Sequence, residues 1–482
     1  MFPPGVYRIT TLAVLLVVVL AGCAAPMADP GAETGTETSL EESTESELEI
    51  RDDLPFDADR SFERVQAMLG VTMQPPAVYI EEPLDPPGSS DRDPSSFYAV
   101  MGVPAPDPAD IGPELRVGGV ASSMQAVYLL PEDDATPAEL EQVFVHELVH
   151  IAQFQQQAPQ RIESSIPASH RGTTDATLTT TSLIEGAAVS VSSAYTTRYD
   201  LPVGTEREIL ERYYPKASAG TQLQWGPYHF GSQYVDAVAD SPADHWQVYE
   251  TPPVTMQELR EGEPAITTGE TTLETVDITV DDDHPEWAFD PFEDDVMGVF
   301  ALERVLATEL SAETATDATA GWAYDRVRRA SADDDRVDSY VWAVRFEDDT
   351  SADRFEATAE RYLESRSTSI ETITTESNAT SDGTASTEDR WFTDSYAFGL
   401  ERADERTVVL VGGDRTFLES VTVEGTAWDG DVRVSLAEDD STASMTAPSE
   451  GAVPFVAGAT GVNEGIGAIG GTGAPGLTGG VP

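Results

Sequence analysis

The chain has 482 residues, and 40% of them are hydrophobic, which is enough for a sizeable core and for more than one domain. It carries 87 acidic and 27 basic residues, a formal net charge of −60 at pH 7, and a single cysteine. This charge excludes nucleic acid as a partner, because no basic stripe could neutralise phosphates. The single cysteine excludes a disulfide within the chain.

The first residues predict export and a lipid anchor. An apolar run at residues 12–21 follows a basic residue and is too short for a comfortable membrane span. The run ends in Leu20-Ala21-Gly22-Cys23, which resembles a lipobox, so residues 1–23 are predicted to be a signal peptide with lipidation at Cys23. A plain membrane anchor and a cleaved signal without lipid are the alternatives. Residues 24–53 are rich in Glu, Ser, Thr and Gly, which predicts an acidic disordered tether.

The next segments predict the start of a domain that mixes helices and strands. A helix is predicted at 62–68, and strands are predicted at 78–80, 97–100 and 126–130. Thr136-Pro137-Ala138-Glu139 then supplies an N-cap, a proline at the first helical position and an acid three residues after the cap. A long helix is therefore expected to begin at Pro137.

This helix contains Val145-His146-Glu147-Leu148-Val149-His150, an HExxH motif. Two histidines four residues apart project from one helical face, so both can bind one metal ion, and Glu147 can reach a metal-bound water as general base. Two hydrogen-bonded histidines on a core helix are the alternative. The well-marked helix start and the apolar residues at helical spacing favour a metal, and we predict Zn²⁺ bound by His146 and His150.

A catalytic zinc needs a third protein ligand, and Glu185 is the candidate. It is followed by small residues that would let two helices approach closely, and no other acid lies between Asp175 and Asp200. His146, Glu147, His150 and Glu185 together resemble the gluzincin zinc peptidases, in which a glutamate on a later helix completes the site. Members of that family with an orienting aspartate carry it four residues after this glutamate, where this chain has Val189.

A further segment at 226–235 resembles the PY-x-x-G segment of secreted gluzincin-like proteins, and the stretch at 249–258 resembles one that closes the same region. Tyr228, His229 and Tyr234 are candidates for donating a hydrogen bond to the developing oxyanion. The alternative is that these aromatic side chains pack the wall of the cleft. Three other histidines have no partner at ligand spacing and are predicted to face solvent or lie in loops: His170, His245 and His284.

The chain is predicted to be α+β, with a zincin-like domain at 54–286 built from a strand, the HExxH helix and the glutamate helix. A smaller C-terminal α+β unit is predicted at 295–421, with helices at 296–310 and 353–365 and strands at 339–346, 395–401 and 407–412. Asn378 begins a glycosylation sequon in a Ser/Thr-rich loop. The low-complexity composition of residues 439–482 predicts a disordered tail.

The acidic residues are spread along the chain, and the signature resembles that of haloarchaeal proteins. Their mutual repulsion would be screened in molar salt, where the Debye length is about 3 Å. We expect a zinc peptidase that acts on peptides or proteins and is lipid-anchored on the extracellular face of the membrane. The alternative is a non-catalytic surface protein that uses a zincin scaffold for binding or for envelope structure. A third possibility, a solute-binding lipoprotein, would share the lipid anchor but would leave the metal motif unexplained. The oligomeric state cannot be read from the sequence.

Overall fold

The computed structural model of the chain describes residues 48–50, 53–80, 95–112, 118–122, 125–131, 134–262, 273–281, 286–289, 294–332, 336–375, 386–426 and 431–436. The predicted signal peptide with Cys23, most of the predicted tether, Asn378, His284 and the predicted tail lie outside the described residues. Within the described part of the chain, no helix combines the length and the apolar character needed to cross a membrane.

The fold is α+β, as predicted from the sequence. The helices are α1 Ala58–Leu69, α2 Ser95–Val100, α3 Pro137–Gln155, α4 Ala158–Ser165, α5 Thr174–Arg198, α6 Glu206–Tyr213, α7 Ala219–Val238, α8 Met256–Glu261, α9 Gly298–Leu306, α10 Ala312–Thr319, α11 Asp349–Arg366 and α12 Arg415–Ser420. Short 3₁₀ helices lie at Pro108–Ile111, Tyr214–Lys216 and Pro242–Tyr249.

The strands belong to three separate sheets. They are β1 Glu49–Ile50, β2 Ala77–Tyr79, β3 Gly118–Ser122, β4 Ala126–Leu130, β5 Ile278–Asp281, β6 Ala288–Phe289, β7 Trp322–Ser331, β8 Ser339–Phe346, β9 Ser369–Thr375, β10 Ser386–Phe392, β11 Ala397–Arg402, β12 Thr407–Gly413, β13 Val421–Gly425 and β14 Val432–Leu436.

The first sheet has the order β1-β2-β4-β3, in which β1, β2 and β4 run parallel and β3 runs antiparallel at the edge. Val127 and Leu129 of β4 are fully buried, whereas Tyr128 and Leu130 are half-buried, the pattern of a strand with one face on a core. That core also takes in Phe144 and Leu148 of α3 and the fully buried ring of Tyr195 of α5.

A second sheet of seven strands is antiparallel throughout and has the order β6-β7-β8-β12-β11-β10-β9. The predicted strand at 339–346 is confirmed as β8, and those at 395–401 and 407–412 are confirmed as β11 and β12 within a residue or two at each end. The third sheet joins β13 to β14 and, in parallel, β14 to β5.

One hydrophobic core connects the second sheet with the helices that precede it in the chain. Trp342 of β8, Phe300 of α9 and Leu183 of α5 are all buried in it. The helix that carries Glu185 therefore packs into the same core as the predicted C-terminal unit. Helix α5 is buried along most of its length and lies between α3 and α7.

The predicted strand at 97–100 is wrong, because these residues form helix α2. Phe97, Val100 and Met101 are buried, while Tyr98 is half-buried and Ala99 is exposed. Buried positions at i, i+3 and i+4 mark one face of a helix, whereas a strand would bury alternate residues. Four residues were too few to separate these two patterns.

Candidate metal centre

Helix α3 begins as the sequence predicts and presents both motif histidines on one face. The Thr136 side chain accepts from the backbone N–H of Glu139, and the Glu139 carboxylate accepts from the N–H of Thr136, so the predicted capping box is confirmed. The rings of His146 and His150 lie 4.8 Å apart between centroids and are nearly perpendicular. Both side chains are buried, with 7% and 2% of their surfaces exposed.

Glu185 of α5 reaches both histidines with a single oxygen. Its Oε2 lies 3.2 Å from Nε2 of His146 and 3.4 Å from Nε2 of His150. The side chain is buried, and within the described residues its other oxygen, Oε1, has no hydrogen-bond partner. The structure thus brings together the three residues that the sequence proposed as metal ligands.

Two glycines let α5 and α7 approach at this point. A Cβ added to Gly186 would overlap the backbone of Gly231, and one added to Gly231 would overlap the carbonyl oxygen of Ser182. Only residues without a side chain fit there, which explains the small residue after Glu185 and the glycine of the PY-x-x-G segment. Tyr228 lies three residues before Gly231, on the helical face that meets α5.

Each histidine is held at Nδ1 by an acceptor that the sequence reading missed. Nδ1 of His146 lies 3.1 Å from Oε2 of Glu206, and Nδ1 of His150 lies 2.7 Å from Oε1 of Gln153. An ionised carboxylate and an amide oxygen only accept, so both histidines donate from Nδ1. With a metal at Nε2, each ring would give its Nε2 lone pair to the ion while Nδ1 keeps its proton, which is the arrangement of histidines that bind a metal.

The two separations between Glu185 and the histidines are those of a tetrahedral zinc site. With zinc–ligand distances of about 2.0–2.1 Å, the ligand atoms of a tetrahedral site lie about 3.3 Å from one another. The separations of 3.2 and 3.4 Å between Glu185 and the two histidines match this spacing. A buried carboxylate oxygen without a partner is costly, and a cation would satisfy Oε1 or Oε2 of Glu185 directly.

The electrostatics of the cluster favour a cation. Burial lowers the pKa of His146, but Glu206 and Glu185 more than offset this and hold that pKa well above its usual value. Burial raises the pKa of Glu185, yet His150 and His146 bring it down to about 2. In the absence of a metal, protons on the histidines would therefore compensate the carboxylates.

Glu147 lies beside the ligands. His146, Glu147 and His150 each have one possible ligand atom in this cluster, and these three atoms lie within 4.8 Å of one another. Glu185 contacts both Nε2 atoms, so it is the candidate for the third ligand, and Glu147 is the candidate for acting on water. Burial raises the pKa of Glu147, and its Oε2 has no partner in the described part of the chain. A Cβ on Gly119 of β3 would lie 2.7 Å from Cγ and Oε1 of Glu147, so this strand position needs a glycine.

Of the three oxyanion candidates, Tyr228 lies next to the candidate metal ligands. Its ring stacks against that of His146 with centroids 6.3 Å apart, and burial, followed by the charge of Glu185, raises its pKa well above the usual value. The ring of His229 instead stacks on that of Tyr214, with centroids 4.3 Å apart, and burial lowers the pKa of His229 to about 4. Tyr234 is buried in the main core, where burial raises its pKa to about 12.

His170 and His245 were predicted to face solvent or lie in loops: His170 does lie in the loop between α4 and α5, but neither histidine faces solvent, and His245 lies in a 3₁₀ helix. His170 is fully buried, and its Nε2 lies 3.1 Å from Oδ2 of Asp175 at the start of α5. His245 is 1% exposed and donates from Nδ1 to the carbonyl oxygen of Pro242. A buried imidazole needs a hydrogen-bond partner close by, and each of these two finds one within five residues in the chain.

Part of the chain matches a known family model. A family model described as a domain of unknown function (DUF8575) matches residues 289–422, a range that includes the predicted C-terminal α+β unit. No curated protein and no solved structure matches the chain. The residues of the candidate metal site, on α3, α5 and α6, lie outside the matched range.

The matched region nevertheless contacts the glutamate helix directly. Asp295 accepts from the backbone N–H of Thr174 at 2.7 Å and from its hydroxyl at 2.6 Å. The N–H of Asp175 donates to the carbonyl oxygen of Val296 at 2.9 Å. These bonds satisfy N–H groups that the first turn of a helix leaves without partners, so the matched region helps to fix the start of α5.

Proposed function

We propose that the protein is a zinc-dependent peptidase of the zincin type, with His146, His150 and Glu185 as the metal ligands. One observation carries the proposal: a single carboxylate oxygen of Glu185 lies 3.2 and 3.4 Å from the Nε2 atoms of both HExxH histidines. This spacing matches a tetrahedral zinc site. The order of strand β4, helix α3 and helix α5 supports a zincin-like arrangement.

The edge strand β3 supports a peptide as the substrate. It is the last strand of the described sheet, and Gly119 brings its backbone against the side chain of Glu147. An extended peptide can add to such an edge through main-chain hydrogen bonds. A peptide bound in this way would pass beside the base and the metal ligands.

The chemistry follows from the roles of the side chains. Zinc held by the three ligands would polarise the substrate carbonyl and make a water molecule more acidic. Glu147 accepts a proton from that water as its oxygen adds to the carbonyl carbon, and then gives the proton to the leaving amine nitrogen. The hydroxyl of Tyr228 stays protonated and donates a hydrogen bond to the carbonyl oxygen as negative charge develops on it.

Metal removal tests this proposal. We expect the full chain, purified in molar salt, to contain about one zinc ion per molecule and to cleave casein, because three ligands and a free base are present. A chelator should abolish cleavage, and added zinc should restore it. Protein without zinc would contradict the proposal. Protein that binds zinc but cleaves no peptide would favour the non-catalytic alternative.

We also propose that Cys23 carries a lipid that anchors the protein at the outer face of the cell membrane. The resemblance of Leu20-Ala21-Gly22-Cys23 to a lipobox supports this location. In the producing cells, Cys23→Ser should move the protein from the membrane fraction to the soluble fraction, because burial of acyl chains supplies the anchoring. Membrane association that persists in this variant would argue against lipidation at Cys23.

A further inference from the structure

The first motif histidine has a carboxylate partner that comes from neither of the two helices carrying the metal ligands. The gluzincin pattern would have an aspartate four residues after Glu185, but Val189 occupies that position. We propose that Glu206, at the start of α6, is the positioning residue that orients His146 for metal binding. This inference rests on the proposed zinc site and extends it to a residue 60 positions away from His146.

Val189 itself helps to explain how Glu206 arrives there. Val189 is 1% exposed and packs in a small hydrophobic cluster with Leu210 of α6 and Tyr214, which follows α6. An apolar residue at position 189 thus gives α6 a surface to pack on, where an acid would oppose this contact. Helix α6, which packs on Val189, also carries the carboxylate of Glu206.

The start of α6 is fixed by several contacts. Thr205 and Glu208 form a capping box, which makes Glu206 the first residue of the helix. The backbone N–H of Arg207 donates to Oγ of Ser193 on α5, and the Arg207 side chain forms an ion pair with Asp236 of α7. The residue next to Glu206 is therefore held to both neighbouring helices, which limits the positions that the Glu206 side chain can reach.

The carboxylate of Glu206 receives two donors on the same oxygen. The hydroxyl of Ser192 donates to Oε2, and Nδ1 of His146 lies 3.1 Å from the same atom. Ser192 lies seven residues after Glu185 on α5, so both side chains project from nearly the same helical face. The helix that supplies the third ligand thus also holds the group that orients the first.

With the proposed metal on Nε2, this arrangement selects one tautomer of His146. If Nδ1 carried the lone pair, that lone pair would face a carboxylate oxygen at 3.1 Å, and the two would repel each other. Glu206 is 7% exposed, so water cannot screen this repulsion well. Nε2 faces Oε2 of Glu185 at 3.2 Å in the same way, so the proposed metal would take the Nε2 lone pair while Glu206 keeps the proton on Nδ1.

The second histidine reaches the same tautomer through a neutral partner. Gln153 donates from Nε2 to the carbonyl oxygen of Ile184 and to the hydroxyl of Tyr249, so its Oε1 must face Nδ1 of His150. An anionic acceptor makes an imidazole a more basic ligand than a neutral acceptor does. We therefore expect His146 to depend on Glu206 more strongly than His150 depends on Gln153.

Zinc affinity in variants of Glu206 tests the inference. With the full chain in molar salt, competition against a chelator should give a dissociation constant about 10–100-fold higher for Glu206→Ala than for the wild type. Glu206→Gln keeps the shape and an accepting oxygen but loses the charge, so its affinity should fall between the two. The matched control is Glu211→Ala, which removes an exposed acid from the same helix and should leave zinc affinity unchanged.

The tautomer of His146 distinguishes an orienting role of Glu206 from a purely structural one. In zinc-loaded protein with ¹⁵N-labelled histidine, the wild type and Glu211→Ala should show His146 protonated at Nδ1, and Glu206→Ala should lose the downfield Nδ1 proton of that strong hydrogen bond. If Glu206→Ala does not fold, Glu206→Gln carries the test. Wild-type zinc affinity in Glu206→Gln together with an unchanged His146 signal would overturn the inference and leave the proposed function intact. A wild type that binds no zinc would overturn both.

Discussion

Glu147→Gln is expected to abolish peptide hydrolysis while leaving zinc bound. Glutamine has nearly the shape of glutamate and fills the same buried space beside Gly119. Its amide cannot accept the proton of the attacking water, and loss of such a base lowers turnover by about 10²–10⁴-fold. His146, His150 and Glu185 are untouched, so zinc content should stay at the wild-type level. Casein cleavage and metal analysis in molar salt measure the two quantities.

The control for this variant is Glu211→Gln, which makes the same chemical change at an exposed position of α6. It should keep both zinc and turnover. If Glu147→Gln hydrolyses casein as fast as the wild type, Glu147 is not the base. A loss of zinc in Glu147→Gln would instead indicate that Glu147 is a ligand, in line with its distance of at most 4.8 Å from the ligand atoms of both histidines.

The part of the site that could be predicted is the part that local spacing determines. His146 and His150 are four residues apart, so any helix brings them together, and Thr136, Pro137 and Glu139 mark where that helix begins. Glu185 could be predicted because it is the only acid in a long apolar segment. Helical periodicity and an isolated charge were therefore sufficient for all three proposed ligands.

The residues that accept hydrogen bonds from Nδ1 of the two histidines, Glu206 and Gln153, were harder to predict. Glu206 lies on a third helix, and in a chain with 87 acidic residues its identity gives no signal. The packing of α6 on Val189 brings it to His146, and this is a tertiary contact. Gln153 was more accessible to sequence reasoning, because it lies three residues after His150 on the same helix face.

Helix α7 illustrates how packing separates candidates that are neighbours in sequence. Tyr228 and His229 are adjacent and therefore point about 100° apart around the helix axis. The contact between Gly231 and Gly186 determines which face meets α5, and that face carries Tyr228. Sequence analysis identified the segment but could not choose a residue within it. The burial of His170 and Asp175 escaped prediction for the same reason, since the residues that cover them come from elsewhere in the chain.

Glu185→Ala is expected to weaken zinc binding nearly as much as His150→Ala does. Each change removes one of three protein ligands. Each should therefore lower zinc affinity by more than the loss of about 10–100-fold expected when only an orienting partner is removed. Competition with a chelator in molar salt measures the dissociation constants. Glu185→Gln keeps the volume of the side chain and should show that the loss comes from the missing carboxylate and not from a cavity in α5.

A control for Glu185→Ala should be an acid whose removal disturbs neither the core nor the site, so its burial decides the choice. Asp175 is on the same helix, but it is fully buried, pairs with His170 and accepts from the backbone N–H of Met256. Asp175→Ala should therefore lower the melting temperature of the metal-free protein, because His170 would lose its partner. Glu211→Ala changes neither the core nor the site and should bind zinc like the wild type. If Glu185→Ala retains wild-type affinity while Asp175→Ala or a change at His170 loses the metal without unfolding, the third ligand lies at the start of α5 and the gluzincin arrangement is wrong.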